Sequence, residues 1–320
     1  MKSHKKQHYI PRSYLKAWVD PHTPAKQTPY VWQFSKDGTA VKKKAPENIF
    51  HENDMYTIEE PGGGRDLVLE KGLSGLESGF CSIRDKKLKN HKSLTDEEHV
   101  VLCAFIAAMS ARTKAWRDHQ AGQWGNVLEM VDRVHEQAKG MTPDQRKAFS
   151  QFSPPPAYGR DTSLSYEQVQ QLATKPLQSL LVPNVRVMLP LLRQMSVAVI
   201  ETNNSPGFIT SDHPCCWYDP EAYKRPPFWR SPALAYPSIE ITLPLSPRQT
   251  LWLKWDGAHG YIPVPHSVVE ELNRRSRFHA HEFFIVNANV KKDAWFDRGV
   301  EPEDSWEKIH AATSEDEEEE

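Results

Sequence analysis

The residues best suited to chemistry fall in two dense clusters far apart in the chain. The first is His8-Tyr9-Ile10-Pro11-Arg12-Ser13-Tyr14-Leu15-Lys16-Ala17-Trp18, the second Phe208-Ile209-Thr210-Ser211-Asp212-His213-Pro214. His8 has the chemistry of a general base, a metal ligand or a donor to phosphate. Asp212 follows a strand-like run and precedes a proline, a strand-end position from which side chains point into sites. The hydroxyls of Thr210 and Ser211 stand beside it to fix its carboxylate. The same Ser-Asp-x-Pro sequence is also a good turn, because Asp bonds nearby backbone amides.

Three further residues extend this constellation. Arg112 borders an apolar helical stripe, where a guanidinium is costly unless it reaches a carboxylate, a carbonyl or a ligand anion. Glu77 and Asp212 are its first carboxylate candidates. Glu70 and Glu77 lie seven apart and so project from one side of a helix, and Asn273 shares a helix face with Val269 and Ser276, where it can bond Asp212 or a ligand. The expected site has His8 as base or ligand and Arg112 as the neutraliser of a phosphate. Asp212 and Glu77 would hold a divalent metal, the arrangement of metal-assisted hydrolysis. His8, Arg112 and Asp212 are then expected to converge. His213 and the His279-Ala280-His281 pair are weaker ligand candidates, lacking Cys or carboxylate at the usual zinc spacing.

Other templates fail. No Gly-x-Gly-x-x-Gly follows a strand, and Gly62-Gly63-Gly64 lacks the Lys-Ser/Thr of a phosphate loop. Neither a Gly-x-Ser-x-Gly elbow nor His-Glu-x-x-His occurs.

Several elements must position these residues. Pro11 suits the first turn of a short helix with Tyr14, Leu15 and Trp18 facing inward. Val31–Phe34 and Ala40–Lys42 flank Asp37-Gly38, a hairpin signal, and Met55–Ile58 reads as a further strand. Pro61–Gly64 reads as a turn or short linker. Leu69, Leu73, Leu76, Phe80 and Ile83 form the stripe of a helix from about Asp66 to Leu88. Thr95-Asp96-Glu97-Glu98 is a capping box for a buried helix running to about Trp116 and carrying Arg112. Gly122 fits a stop, after which helices are expected from Asn126 to near Gly140 and from Thr142, the latter broken at Ser153-Pro154-Pro155-Pro156. Ser165 caps another, and Pro176, Pro183 and Pro190 are expected to segment the chain after it. Strands are then expected at Val197–Ile200, Phe208–Ser211, Ile239–Leu243, Thr250–Trp255 and Phe283–Val286, the last closing the sheet. Ser267-Val268-Val269-Glu270 reads as the capping box of the helix bearing Asn273. The class is therefore α+β, a helical block packed against a mostly antiparallel sheet. Residues 1–306 read as a single domain, an amino-terminal hairpin and helical block to about 195 and a sheet-rich part over 196–290, with 307–320 a disordered acidic tail.

The chain has 320 residues, 38% hydrophobic and 10% aromatic, enough for a substantial core. Its richest apolar run, Val100–Met109, is too short to span a bilayer, so no membrane association is expected. No apolar stretch follows the basic start as a secretory signal requires. The four cysteines, without a C-x-x-C, read as reduced thiols of a cytoplasmic protein. The net charge of −2 hides an asymmetry: residues 1–50 hold ten Lys/Arg against three Asp/Glu, whereas Glu315–Glu320 is wholly acidic. A basic end attracts phosphate-bearing partners such as nucleic acid or nucleotides. No feature sets the oligomeric state.

His8-Tyr9-Ile10-Pro11-Arg12-Ser13-Tyr14-Leu15, the Glu70–Glu77 helix, Arg112, Thr210-Ser211-Asp212-His213-Pro214 and Leu272-Asn273 together resemble the bacterial DUF4238 family. The resemblance runs over roughly residues 7–290, with His213 at the variable position of the second motif. It implies extent and motif placement and brings no reaction. The function expected is metal-assisted hydrolysis of a nucleic acid or nucleotide. Its alternatives are a non-catalytic nucleic-acid or anion-binding module, and an interaction protein whose motifs knit the helical block to the sheet.

Overall fold

Thr95 accepts a hydrogen bond from the amide of Glu98 while Glu98 accepts one from the amide of Thr95, and this reciprocal cap starts the helix at the centre of the protein. A computed structural model describes residues 6–60, 62–151, 164–257 and 259–299. The Ser153–Pro156 break and the acidic tail lie outside the described residues, as does Pro61 of the expected turn.

The helical block holds α1 (Arg12–Leu15), α2 (Val68–Lys86), α3 (Asp96–Ala111), α4 (Lys114–Lys139), α5 (Pro143–Gln151), α6 (Tyr166–Thr174) and α7 (Pro176–Leu192). Three of its boundaries differ from the expected ones. The central helix stops at Ala111, because the Thr113 hydroxyl accepts from the Trp116 amide and caps a new helix. Arg112 is thus the junction between α3 and α4, and Trp116 belongs to the second. Gly122 does not stop α4, which runs through it and Gly125 to Gly140. A helical glycine costs about 1 kcal/mol relative to alanine, too little to end a helix alone. Pro183 and Pro190 lie inside one continuous α7, whose buried Leu177, Leu181, Met188 and Leu192 fix it against α3. Each proline removes one backbone bond, and the apolar packing outweighs that loss.

The strands form two larger sheets rather than one. The five-stranded sheet has the order β12 (Gly260–Pro263), β7 (Ser196–Glu201), β11 (Gln249–Lys254), β10 (Glu240–Ser246), β9 (Cys216–Tyr218). Among the described residues only the β12–β7 pair is parallel. Ile241, Leu243, Leu245, Leu251 and Leu253 are buried in the same core as Phe80, Phe105 and Leu102 of α2 and α3. The four-stranded sheet has the order β3 (Val41–Lys44), β2 (Val31–Ser35), β13 (Phe283–Val286), β8 (Thr210–Ser211). The amino-terminal hairpin, with Gly38 at φ +71° in its turn, therefore finds its partner near the other end of the chain. Phe34, Ile209, Phe284, Val286 and Trp295 make a second, smaller core there.

Among the described residues two short pairs complete the set, β1 (Lys6–His8) with β4 (His51–Asn53) and β5 (Ile58–Glu59) with β6 (Arg65–Asp66). His8 thus stands in a strand, opposite His51. Of the strand expected at Met55–Ile58, only Ile58 belongs to one, since residues before it form a turn with Asp54 at φ +57°. α8 (His266–His279) starts after Pro265 without a side-chain cap, so the box expected at Ser267 is not formed. The class is α+β with mostly antiparallel sheets. Among the described residues, no helix is long and apolar enough to cross a membrane.

Candidate functional site

Pro11 opens α1, and the one-turn helix plus a following 3-10 turn bury Tyr14, Leu15 and Trp18 completely. The Tyr14 hydroxyl donates to the Pro244 carbonyl at 2.7 Å, leaving its oxygen to accept from Thr210 Oγ1, also at 2.7 Å. Trp18 Nε1 donates to the Phe208 carbonyl at 2.9 Å. The two motifs do meet, and they meet through aromatic side chains and main chain.

Asn273, projecting from α8, clamps the approach to β8: its Nδ2 donates to Gly207 O and its Oδ1 accepts from Ile209 N, both at 2.9 Å. Asp212 is 2% exposed. Its Oδ1 accepts from the His281 amide at 2.7 Å, and its Oδ2 accepts from Glu282 at 2.7 Å and Phe283 at 2.9 Å. Burial pushes its carboxyl above the usual range, with the three N–H groups opposing. This carboxylate ties the end of β8 to the start of β13.

Arg112, Glu77 and the main chain of His8 form a separate group. Arg112 is 1% exposed; its Nη1 donates to Glu77 Oε1 at 2.7 Å and its Nη2 to the His8 carbonyl at 2.6 Å. Tyr56 Oη lies 3.4 Å from Arg112 Nε and donates to the Arg112 carbonyl at 3.1 Å. Burial works against the guanidinium charge, but Tyr56 and Glu77 outweigh it and raise its pKa. The His8 imidazole is elsewhere, bonded through Nε2 to the Glu47 carbonyl at 3.3 Å and 5.4 Å from the ring of His51. Burial, then His51, lowers it to about 4, so it is neutral at neutral pH.

The structure therefore brings Arg112, Glu77 and His8 together through one carbonyl, and it gives Asp212 and Asn273 different partners. Glu77 is committed to a buried cation and both oxygens of Asp212 to amides. The two carboxylates expected to share a metal thus have separate partners, Glu77 the Arg112 guanidinium and Asp212 three backbone amides. Among the described residues no three His, Cys, Asp or Glu side chains gather as a ligand set. His213 and His279 face each other at 4.4 Å, and burial lowers them to about 3 and about 4. His281 contributes its amide to Asp212. All four cysteines are free, and burial raises Cys103, Cys215 and Cys216 to about 12, leaving them inert thiols.

A cleft of about 1290 Å³ opens elsewhere, at the end of the five-stranded sheet. Its walls are the α1 segment, the end of α2 with the turn after it, the β10–β11 turn and the loops following β7 and β12. Lys16, Arg84, Lys89 and Arg248 line it, against Asp85 and Glu201 as its acids. Lys16, Lys89 and Arg248 are exposed, whereas Arg84 is buried and bound to Asp85 and to the carbonyls of Ser13 and Tyr14. His91 also lines the cleft, with Nε2 2.8 Å from Glu201 Oε1. Sequence reasoning missed these residues. Lys16 could have been found as the exposed face of the opening motif; the others come from four separate segments with no shared spacing.

One family model, described as a protein of unknown function (DUF4238), matches residues 6–289. No curated protein and no solved structure matches the chain.

Proposed function

The chain belongs to the DUF4238 family, and we propose that it binds a phosphate-bearing ligand, a nucleic acid or nucleotide, in the cleft at the end of the five-stranded sheet. The observation that carries this is the set of exposed cations Lys16, Lys89 and Arg248 on three walls of one concave space. Cations lining a cleft focus the field and raise the local concentration of an anion, whereas the same charges on a convex face are screened. Lys16 comes from the basic amino-terminal region, which supports the reading that this region contributes to anion binding.

Binding takes precedence over hydrolysis through His8, Asp212 and Glu77 for a chemical reason. A carboxylate holding three amides, another holding a buried guanidinium and an imidazole bonded to a carbonyl have little capacity left for a substrate. Their hydrogen bonds support the reading that the motif residues knit the helical block to the sheets.

The test is fluorescence anisotropy with a labelled single-stranded RNA, inorganic tripolyphosphate serving as competitor. Lys16→Glu, Lys89→Glu and Arg248→Glu combined should weaken binding at least about tenfold and lower the salt slope by roughly one unit for each phosphate no longer neutralised. Lys42→Glu with Lys44→Glu, on the edge strand β3, should leave affinity near wild type. Loss of affinity only in the β3 variant, or no binding of either anion by the wild type, would overturn the proposal.

A further inference from the structure

We infer that His91 and Glu201 form a general-base dyad that cleaves the phosphodiester of single-stranded RNA held in the cleft, an inference that rests on the cleft's being a phosphate-binding site. The imidazole is oriented from several sides. His91 ends the 3-10 turn Leu88–Asn90 in the left-handed region at φ 53°, ψ 34°, a conformation uncommon for a residue with a side chain. Its ring stacks on Tyr261 with centroids 4.2 Å apart and planes 7° from parallel. Its Nε2–H donates to Glu201 Oε1 at 2.8 Å, and the same oxygen accepts from Gln249 Nε2 at 2.7 Å. The buried Gln249 amide also reaches the Leu88 carbonyl at 3.1 Å, which ties Glu201 to the turn that carries His91.

Three strands and a turn thus converge to hold one ring whose other nitrogen, Nδ1, is left as an acceptor. A hydrogen bond this open to solvent contributes little to stability, so such an arrangement is poorly explained as a fastening. A base, a carboxylate that fixes its tautomer and nearby cations are what phosphodiester transfer requires. RNA is the substrate class because it brings its own nucleophile: the 2′-hydroxyl sits next to the phosphate, and that proximity replaces much of what a bound, activated water would supply. In the step, Nδ1 takes the 2′-hydroxyl proton and the 2′ oxygen bonds to phosphorus. The bond from phosphorus to the 5′ oxygen breaks, that oxygen takes a proton from water in the open cleft, and the hydroxide so formed takes the proton from Nδ1, which restores the base. The products are a 2′,3′-cyclic phosphate and a 5′-hydroxyl. Lys16, Lys89 and Arg248 meet the charge on the non-bridging oxygens.

The experiment compares a short single-stranded RNA with its 2′-O-methyl counterpart, following binding by anisotropy and cleavage by the appearance of cyclic phosphate. Both should bind and only the first should be cut. His91→Asn should lower kcat by about a hundredfold or more with KM changed less than about twofold, and added imidazole should restore part of the rate to His91→Ala. Glu201→Gln should lower kcat about tenfold while RNA binding persists, the mark of a positioning residue. RNA that binds but stays intact, or cleavage indifferent to His91→Asn and His91→Gln, would overturn the dyad alone. Absence of RNA binding by the wild type would overturn the cleft reading and the dyad with it.

Discussion

Both oxygens of Asp212 act as acceptors, so its charge has a structural use that an amide cannot reproduce. Asp212→Asn keeps the shape, but one oxygen becomes an NH2 group facing a backbone N–H, which leaves buried donors unpaired. The expected loss is about 1–3 kcal/mol, read as a lower urea midpoint. An unchanged midpoint would mean that the amides of His281, Glu282 and Phe283 do not depend on this carboxylate. The need of Arg112 for a carboxylate was legible from its place beside an apolar stripe, and Glu77 answers it. Which atom of His8 would be used was not legible, because residue type advertises the imidazole while the fold takes the carbonyl. His91 left no mark in the sequence at all: its partners Glu201, Gln249 and Tyr261 are assembled by sheet pairing alone.

Elements were legible where one local device determines them and illegible where neighbours do. The capping boxes at Thr95 and Ser165 and the Asp-Gly hairpin are self-contained, and each stands where its residues placed it. Gly122 and Pro183 are breakers only in isolation; inside α4 and α7 tertiary packing decides. Pairing of β2 with β13 depends on loop paths that alternation does not encode. The loop after β7 shows how tightly one such path is fixed. Gly207 adopts φ +85°, and a Cβ there would lie 1.9 Å from the Pro247 carbonyl oxygen in the β10–β11 turn. Phe208 N–H donates to that same oxygen at 2.9 Å, so the turn has no free direction in which to retreat. Gly207→Ala should therefore cost about 2–3 kcal/mol in a melt. It should also weaken anion binding, because Pro247 and Arg248 form one wall of the cleft. A variant as stable as wild type would show that the turn yields.

At the scale of the molecule, the α+β class followed from expected helices giving way to expected strands near residue 195, but the division of strands into two sheets did not. α8 spans that division, touching β8 and β13 of one sheet and β9 of the other, and the half-buried His213–His279 pair sits at its end. Burial lowers these two imidazoles to about 3 and about 4. In the unfolded chain each would titrate near about 6.5. Between those values the unfolded state binds protons that the folded state refuses, so protons favour unfolding. The contribution of the neutral pair is fully present above about pH 6.5 and is lost as pH falls toward 4, at about 1.4 kcal/mol per pH unit for each histidine. Chemical denaturation should therefore show a midpoint that drops steadily from pH 7 to pH 5. His279→Phe, which keeps a ring and removes one proton site, should lower that slope by one histidine's share and leave the shares of His213 and His8. An equal slope in the variant would place the acid sensitivity in other groups, and the junction between the two sheets would then not be where protons open the fold.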